Sequence, residues 1–230
     1  MCNASVIEFF IDTVDCEEFR GKRVLEVGSK YVNGSVRPFI EKFCKPKEYI
    51  GIDIEKGKFV DIVLPAEKLV EYFGENSFDV VISTEVLEHV KDWRVVITNM
   101  KLVVKPLGYI YLTTRSYGFP YHSYPYDFWR YEIDDMEKIF SDFEIVSLAK
   151  DPLEPGVFLK ARKPLNFKLK DLQDIQLYSI LAGKRVGYIP DKFSASAKLK
   201  LVYREAARAK GCLKDRLHTS ASILLHRKRI

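Results

Sequence analysis

No CxxC pair occurs in this chain of 230 residues, and its four cysteines, Cys2, Cys16, Cys44 and Cys212, stand at no metal-ligand spacing with its four histidines. That scarcity argues against a spacing-coded metal or redox motif, predicts no metal centre, and reads as reduced thiols in a cytosolic, cytoplasmic protein. Long apolar runs are also missing. The N-terminal stretch VIEFFIDTV is broken by Glu8 and Asp12, no basic residues precede it, and it is too short to span a bilayer. It predicts an amphipathic helix packed on the core. Nor does either glycine-rich phosphate signature appear: Gly28 and Gly34 are six apart, so GxGxxG fails, and Ser35 follows Gly34 without the lysine of GxxxxGK[ST]. A tight diphosphate cradle is therefore disfavoured.

What remains is the composition of a soluble chain able to bury a full core, with 47% hydrophobic and 30% charged residues. The length suits one α/β unit plus an extension. Charge is unevenly spread: residues 1–164 carry 22 Lys/Arg against 27 Asp/Glu, and residues 165–230 carry 15 against 5. A basic tail on an acidic body suits an anionic partner such as nucleic acid, a membrane surface or an acidic protein, and equally a solvent-facing helix pair.

Short β-branched runs (RVLEV, EYIGIDI, FVDIV, FDVVIS, GYIYLTT) alternate with segments of helical period (SVRPFIEKFCK, PAEKLVEYFG, DWRVVITNMKLVVK). Five strands separated by helices predict a doubly wound, mostly parallel sheet. A short helix over 134–140 then precedes FEIVSLAK and GVFLKARK, whose DPLEP turn predicts an antiparallel hairpin completing a seven-stranded sheet. Past Pro164 the pattern reads as helical. In SAKLKLVYREAARAKG, Lys200, Arg204 and Arg208 recur at i, i+4 and i+8 as a basic stripe. Residues 1–164 thus form the domain and 165–230 a basic helical extension.

In an open parallel sheet the ligand crevice lies beyond the carboxyl ends of the strands, where Gly28 ends RVLEVG. Asp53, at the end of the second strand, can accept hydrogen bonds from both hydroxyls of a ribose and repels a 2′-phosphate. Glycine, the carboxylate Glu26 inside the first strand, and the spaced Asp53 together point to a nucleoside ligand needing no phosphate nest. S-adenosyl-L-methionine meets that description.

These stretches resemble the class I, Rossmann-like S-adenosylmethionine-dependent methyltransferases. VLEVGSKYVNGS is similar to that family's first motif and GIDIEKG to its ribose-binding acidic motif. FDVVISTEVLEHV resembles the fourth-strand segment of ubiquinone/menaquinone-type small-molecule methyltransferases. The resemblance implies that Glu26 and Gly28 lie near the methionine moiety, that Asp53 binds the ribose, that Glu85 lies at the cofactor's edge, and that Ser29, Ile54 and Thr84 belong to the cofactor site. The family's usual Gly-Asp-Ala is Leu64-Pro65-Ala66 here, so backbone at Ala66 or Glu67 must meet the adenine. Leu87-Glu88-His89 is read chiefly as settling local backbone groups.

RSYGFPYHSYPYDFWRYE follows the fifth strand over the same crevice, and eight of the fifteen residues from Tyr117 to Tyr131 are aromatic. A loop of this length and composition suits a binding loop. Tyr121, Tyr124, Tyr126, Trp129 and Arg130 are the candidate substrate contacts, and Phe128 and Trp129 also suit anchors to the core. His122 is the candidate base for a hydroxyl acceptor, with Asp127 orienting it or taking its place. No NPPY-like tetrapeptide follows the fourth strand and no cysteine lies between Cys44 and Cys212. These absences disfavour amino-directed base or glutamine methylation and remove the nucleophile for carbon-5 pyrimidine methylation. The expected activity is O-methylation of a small molecule, a sugar or a lipid-linked precursor. The rivals are an RNA or protein methyltransferase docking through the basic tail, a catalytically idle cofactor-fold module and, more distantly, a nicotinamide reductase.

Overall fold

Continuous apolar character in RVLEV produces β1 (Arg23–Val27), in which only Arg23 escapes burial, as a strand covered on both faces requires. The computed structural model describes residues 3–122 and 127–189. Parallel partners flank β1: β2 (Glu48–Asp53) on one side and β4 (Phe78–Thr84) on the other. The full order is β3-β2-β1-β4-β5-β8-β7, with β3 at Ile62–Val63, β5 at Val104–Arg115, β7 at Glu144–Lys150 and β8 at Gly156–Arg162. The first five are parallel and β5, β8 and β7 pair antiparallel. This is the seven-stranded α/β sheet with a closing hairpin that the sequence indicates. Strand order reverses between β1 and β4, so the crevice opens there.

Helix α1 (Ala4–Thr13) starts where Asn3 accepts a 3.0 Å hydrogen bond from the Val6 amide. Its buried face sets Phe9 against Phe158 of β8 and Phe10 against Tyr111 of β5, ring centroids 5.1 and 5.4 Å apart. Burying each such ring stabilises by about 1.5–3 kcal/mol. The other helices are α2 (Arg37–Phe39), which continues into a π-turn over Ile40–Cys44, α3 (Leu69–Phe73), α4 (Trp93–Val103) and α5 (Ile133–Ile139). No helix among the described residues is long and apolar enough to cross a membrane.

Two expectations need correction. Cys16 and Cys44 form a disulfide, Cα atoms 4.5 Å apart, so this pair is not reduced. The short turn Cys16–Glu18 packs on the π-turn, a tertiary proximity that a separation of 28 residues conceals. Residues 165–189 are also not helical. They carry β9 (Leu177–Ser179) and β10 (Lys184–Val186), which with β6 (Trp129–Arg130) form a small antiparallel sheet. Alternating burial at Leu177 and Ser179, and a left-handed turn at Gly183, explain why strand wins over helix. The compact unit runs to Ile189. The helix expected over 196–211, with Lys200, Arg204 and Arg208, lies outside the described residues.

Candidate active site

At the carboxyl ends of the parallel strands lies a cavity of about 650 Å³, within the range of small-ligand pockets. One end is built by the β1 loop and by β2. Gly28 takes φ +77°, and a Cβ there would stand 2.1 Å from Val86 Cγ2, so only glycine lets the loop pass under the β4 segment. The amides of Gly28 and Ser29 both donate to the Ile52 carbonyl at 2.9 Å, pinning the loop to β2. Asp53 is half-buried in the wall; its Oδ2 accepts from the Lys30 amide at 3.1 Å and its Oδ1 from the Glu55 amide at 3.2 Å. Each oxygen keeps a lone pair for a ligand hydroxyl. Ile54, Ala66 and Glu67 complete this end. Asn99 Nδ2 already donates to the Ala66 and Glu67 carbonyls, at 3.2 and 2.6 Å.

Three of the predicted cofactor residues stand behind the wall. Ser29 is buried, its Oγ against Gly51 beneath the loop, and Thr84 is buried in β4. Glu26 is 2% exposed, is absent from the cavity wall, and accepts a 2.9 Å hydrogen bond from the Tyr49 hydroxyl. Burial pushes its carboxyl up to about 7 from an ordinary 4.5, opposed by the Tyr49 hydrogen bond and the Arg37 charge. The folded state therefore prefers the proton. The associated stability is full below pH 4.5 and is lost as pH rises through about 7, a loss on the order of 3 kcal/mol. Glu26→Gln lacks this dependence. Its melting temperature is expected to exceed the parent's by a growing margin from pH 4.5 to 7, reaching several degrees; parallel melting curves across that range would count against the assignment.

The rest of the wall comes from the segment after β4, with Glu85, Val86 and His89, and from the segment after β5, with His122 and Phe128. Glu85 follows β4 with φ 56°, a left-handed conformation uncommon outside glycine, and lines the cavity. Burial raises its carboxyl to about 8, the neighbouring Glu88 charge adds to this, and Arg115 opposes it. Although Arg115 Nε pairs directly with Glu85, the same guanidinium also meets Asp151 and Glu154, at 3.4 and 3.1 Å. Divided among three acids, its charge does not overcome desolvation.

His122 lines the cavity beside His89, ring centroids 4.7 Å apart. Its Nδ1 and its backbone amide both lie 3.0 Å from Asp127 Oδ2. Asp127 is fully buried and paired through both oxygens with Arg130, at 2.6 and 2.9 Å. Burial favours the proton on Asp127, but hydrogen bonds from Arg130 and His122 outweigh it and hold the carboxyl well below the usual range. An ionised Asp127 fixes the His122 proton on Nδ1 and turns the Nε2 lone pair outward. The predicted dyad is thus assembled.

Trp129 and Arg130 are corrected from substrate contacts to scaffold. Both are buried and outside the cavity wall: Trp129 Nε1 donates to the Lys91 carbonyl at 3.1 Å, and Arg130 is spent on Asp127 and the Phe119 and Pro120 carbonyls. Tyr121 is buried beside the loop, and Tyr124 and Tyr126 lie outside the described residues. Phe128, expected as an anchor, lines the cavity.

Sequence reasoning undervalued Glu88 and His89. Glu88 is fully buried on the turn Leu87–His89, its Oε2 accepting from Thr114 Oγ1 at 2.9 Å, while Oε1 accepts no hydrogen bond among the described residues. His89 lines the cavity.

Residues 4–151 match the family described as a methyltransferase domain. No curated protein matches the sequence. Among solved structures, the chain is similar to the 1,6-didemethyltoxoflavin-N1-methyltransferase of Burkholderia thailandensis, crystallised with 1,6-didemethyltoxoflavin and S-adenosylhomocysteine. Identity is 14% and the TM-score 0.53, covering 63% of this chain and 72% of that one. An S-adenosylmethionine-dependent methyltransferase from Mesorhizobium loti aligns at 15% identity and TM-score 0.54, over 70% and 99% of the two chains. The [4+2]-cyclase SpnF aligns at 15% and 0.53, over 70% and 80%. At these identities the likeness carries the fold and not the reaction.

Proposed function

The chain belongs to the methyltransferase-domain family, and on that premise we propose that it binds S-adenosylmethionine in the 650 Å³ cavity and methylates an oxygen of a small molecule, a sugar or a lipid-linked precursor. The carrying observation is His122, held by the buried Asp127, in the wall of the cavity that Gly28 and Asp53 also line. The cofactor site fits its ligand on two counts: a backbone approach at Gly28 that a Cβ would block, and the Asp53 carboxylate with a lone pair left on each oxygen. S-adenosylmethionine supplies, when bound, a methyl group already activated on a sulfonium.

The chain's own residues then have two tasks. Asp53 holds the ribose with Ile54 beside it, the β1 loop at Gly28 meets the methionine moiety, and backbone at Ala66 or Glu67 meets the adenine. Glu85 borders the cavity, while Glu26, Ser29 and Thr84 support the loop from behind. His122 Nε2 accepts the proton of the acceptor hydroxyl, its Nδ1–H held by Asp127, and positioning of the acceptor against it contributes most of the remaining effect. The cytoplasmic location expected from reduced thiols loses that support with the Cys16–Cys44 disulfide.

Calorimetry with S-adenosylhomocysteine tests the cofactor site. Asp53→Ala is expected to weaken binding by about a hundredfold or more, since two hydrogen bonds to a charged group are lost; no binding by the parent protein would sink the proposal. Labelled methyl transfer into fractionated extract then separates acceptor classes. Label in RNA or protein, with affinity falling steeply as salt rises, would favour docking through the basic tail. Cofactor binding without transfer to any fraction would favour an idle module.

A further inference from the structure

We propose that Glu88, His89 and His122 form a binding site for a divalent transition-metal cation in the wall of the cavity. Glu88 Oε1 lies 3.8 Å from His89 Nε2 and 3.9 Å from His122 Nε2, and the three ligand atoms all lie within 4.8 Å of one another. Around a cation bound at about 2.0–2.1 Å, ligand atoms stand roughly 3.0–3.4 Å apart, so a small inward rotation of the two imidazoles closes the site. Glu88 and His89 are adjacent on one turn, and the Phe128 amide donates to the Glu88 carbonyl at 2.7 Å, tying that turn to the segment that carries His122.

Two further observations separate this cluster from an incidental one. Glu88 is fully buried, yet Oε1 accepts no hydrogen bond among the described residues, an arrangement that is unfavourable unless a positive partner is present. Its other oxygen is taken by Thr114, so Oε1 is left aimed at the imidazoles. His122 also has the outer partner that metal-binding histidines commonly have: Asp127 holds Nδ1 and leaves Nε2 for the cation, and Arg130 holds Asp127. Two imidazoles and one carboxylate suit zinc, iron, cobalt or nickel over magnesium. Three protein ligands leave the remaining positions open toward the cavity, as in catalytic rather than closed structural sites.

The inference rests on the methyl-transfer reading of the cavity and deepens it. With the cation seated, His122 Nε2 is a ligand instead of the proton acceptor. The acceptor oxygen occupies an open position, where its pKa falls as that of zinc-bound water falls to about 7, and its proton passes to solvent. The cation is neither consumed nor changed in charge.

Cobalt(II) chloride, added to the full chain without cofactor and followed by equilibrium dialysis and visible absorption, tests the site. One equivalent with a ligand-field band is expected, with binding weakened tenfold or more in His89→Ala and in Glu88→Gln. Unchanged binding in the His89→Ala, His122→Ala double variant would assign the metal to His218 or His226 of the C-terminal segment and overturn the proposal. Absence of the band would overturn it too, and displacement of cobalt by equimolar magnesium would overturn the metal class. Should Glu88→Gln not fold, His89→Ala at the cavity edge carries the test. Calorimetry with S-adenosylhomocysteine on the same samples keeps the two proposals apart. Cobalt binding without it leaves the metal site standing and sinks the methyl-transfer reading; the converse sinks the metal site alone.

Discussion

Replacement of His122 by alanine is expected to lower methyl transfer by about 100- to 10,000-fold, the usual contribution of a positioned acid–base group, while S-adenosylhomocysteine affinity stays within about twofold of the parent's. The split follows from position. His122 comes from the segment after β5 and not from the β1 and β2 ends that carry Gly28 and Asp53, and its outward atom is Nε2, because Nδ1 is committed to Asp127 at 3.0 Å. Asp127 cannot drift: it is fully buried, ionised and paired with Arg130 through both oxygens. Asp127→Asn would be a poorer first test, since it leaves the Arg130 guanidinium buried without its counter-charge, a change that typically costs about 3–5 kcal/mol of stability. Labelled methyl transfer into a small-molecule extract is the readout. Full turnover by His122→Ala, with cofactor binding intact, would remove His122 from the reaction. Raised cobalt concentration divides the two roles of Nε2: partial recovery marks a lost ligand, and no recovery marks a lost proton acceptor.

How much of this could be read in advance differs by element. The central strands β1, β2, β4 and β5 were legible because a strand buried on both faces needs a continuous apolar run, and few other elements of that length do. FVDIV shrinks to Ile62–Val63 because Phe59 takes a left-handed φ of 70° and Asp61 turns to accept from Arg37 and from the Gly51 amide. Strands β9 and β10 were hidden for a different reason. Each is three residues long, and β9 exists by pairing with Trp129 and Arg130, some fifty residues earlier. Site residues divide in the same way. Gly28 announces itself because a left-handed backbone restricts the residue there, and Asp53 because the proposed ribose contact calls for a carboxylate at the end of the second strand. Trp129 and Arg130 misled because an indole or guanidinium in a loop has the same sequence appearance whether it meets a ligand or a buried carbonyl. Glu88 reads locally as a backbone partner, since its place beside His122 depends on that residue arriving after an entire helix and strand.

Gly28→Ala is expected to abolish measurable S-adenosylhomocysteine binding and to lower the melting temperature by several degrees. Two costs combine at this residue. A left-handed backbone at φ +77° disfavours any L side chain, by about 1–2 kcal/mol. The new methyl would also stand 2.1 Å from Val86 Cγ2, a separation that no packing tolerates, and forced repacking of this kind costs about 1–3 kcal/mol. Relief requires the loop to lift from β2 or Val86 to move into the cavity that it already lines. The first route breaks the 2.9 Å hydrogen bonds from the Gly28 and Ser29 amides to Ile52, and the Lys30 amide then leaves Asp53. The second fills space that the cofactor needs. Either way the binding end is lost while the rest of the sheet remains, so the variant should keep its strand signature in circular dichroism and fail only in calorimetry. Gly28→Ala paired with Val86→Ala isolates the two costs: removal of the facing methyls relieves the clash and leaves the φ penalty, so partial recovery of affinity is expected. Parent-like affinity in Gly28→Ala alone would show that the cofactor does not lie against this loop.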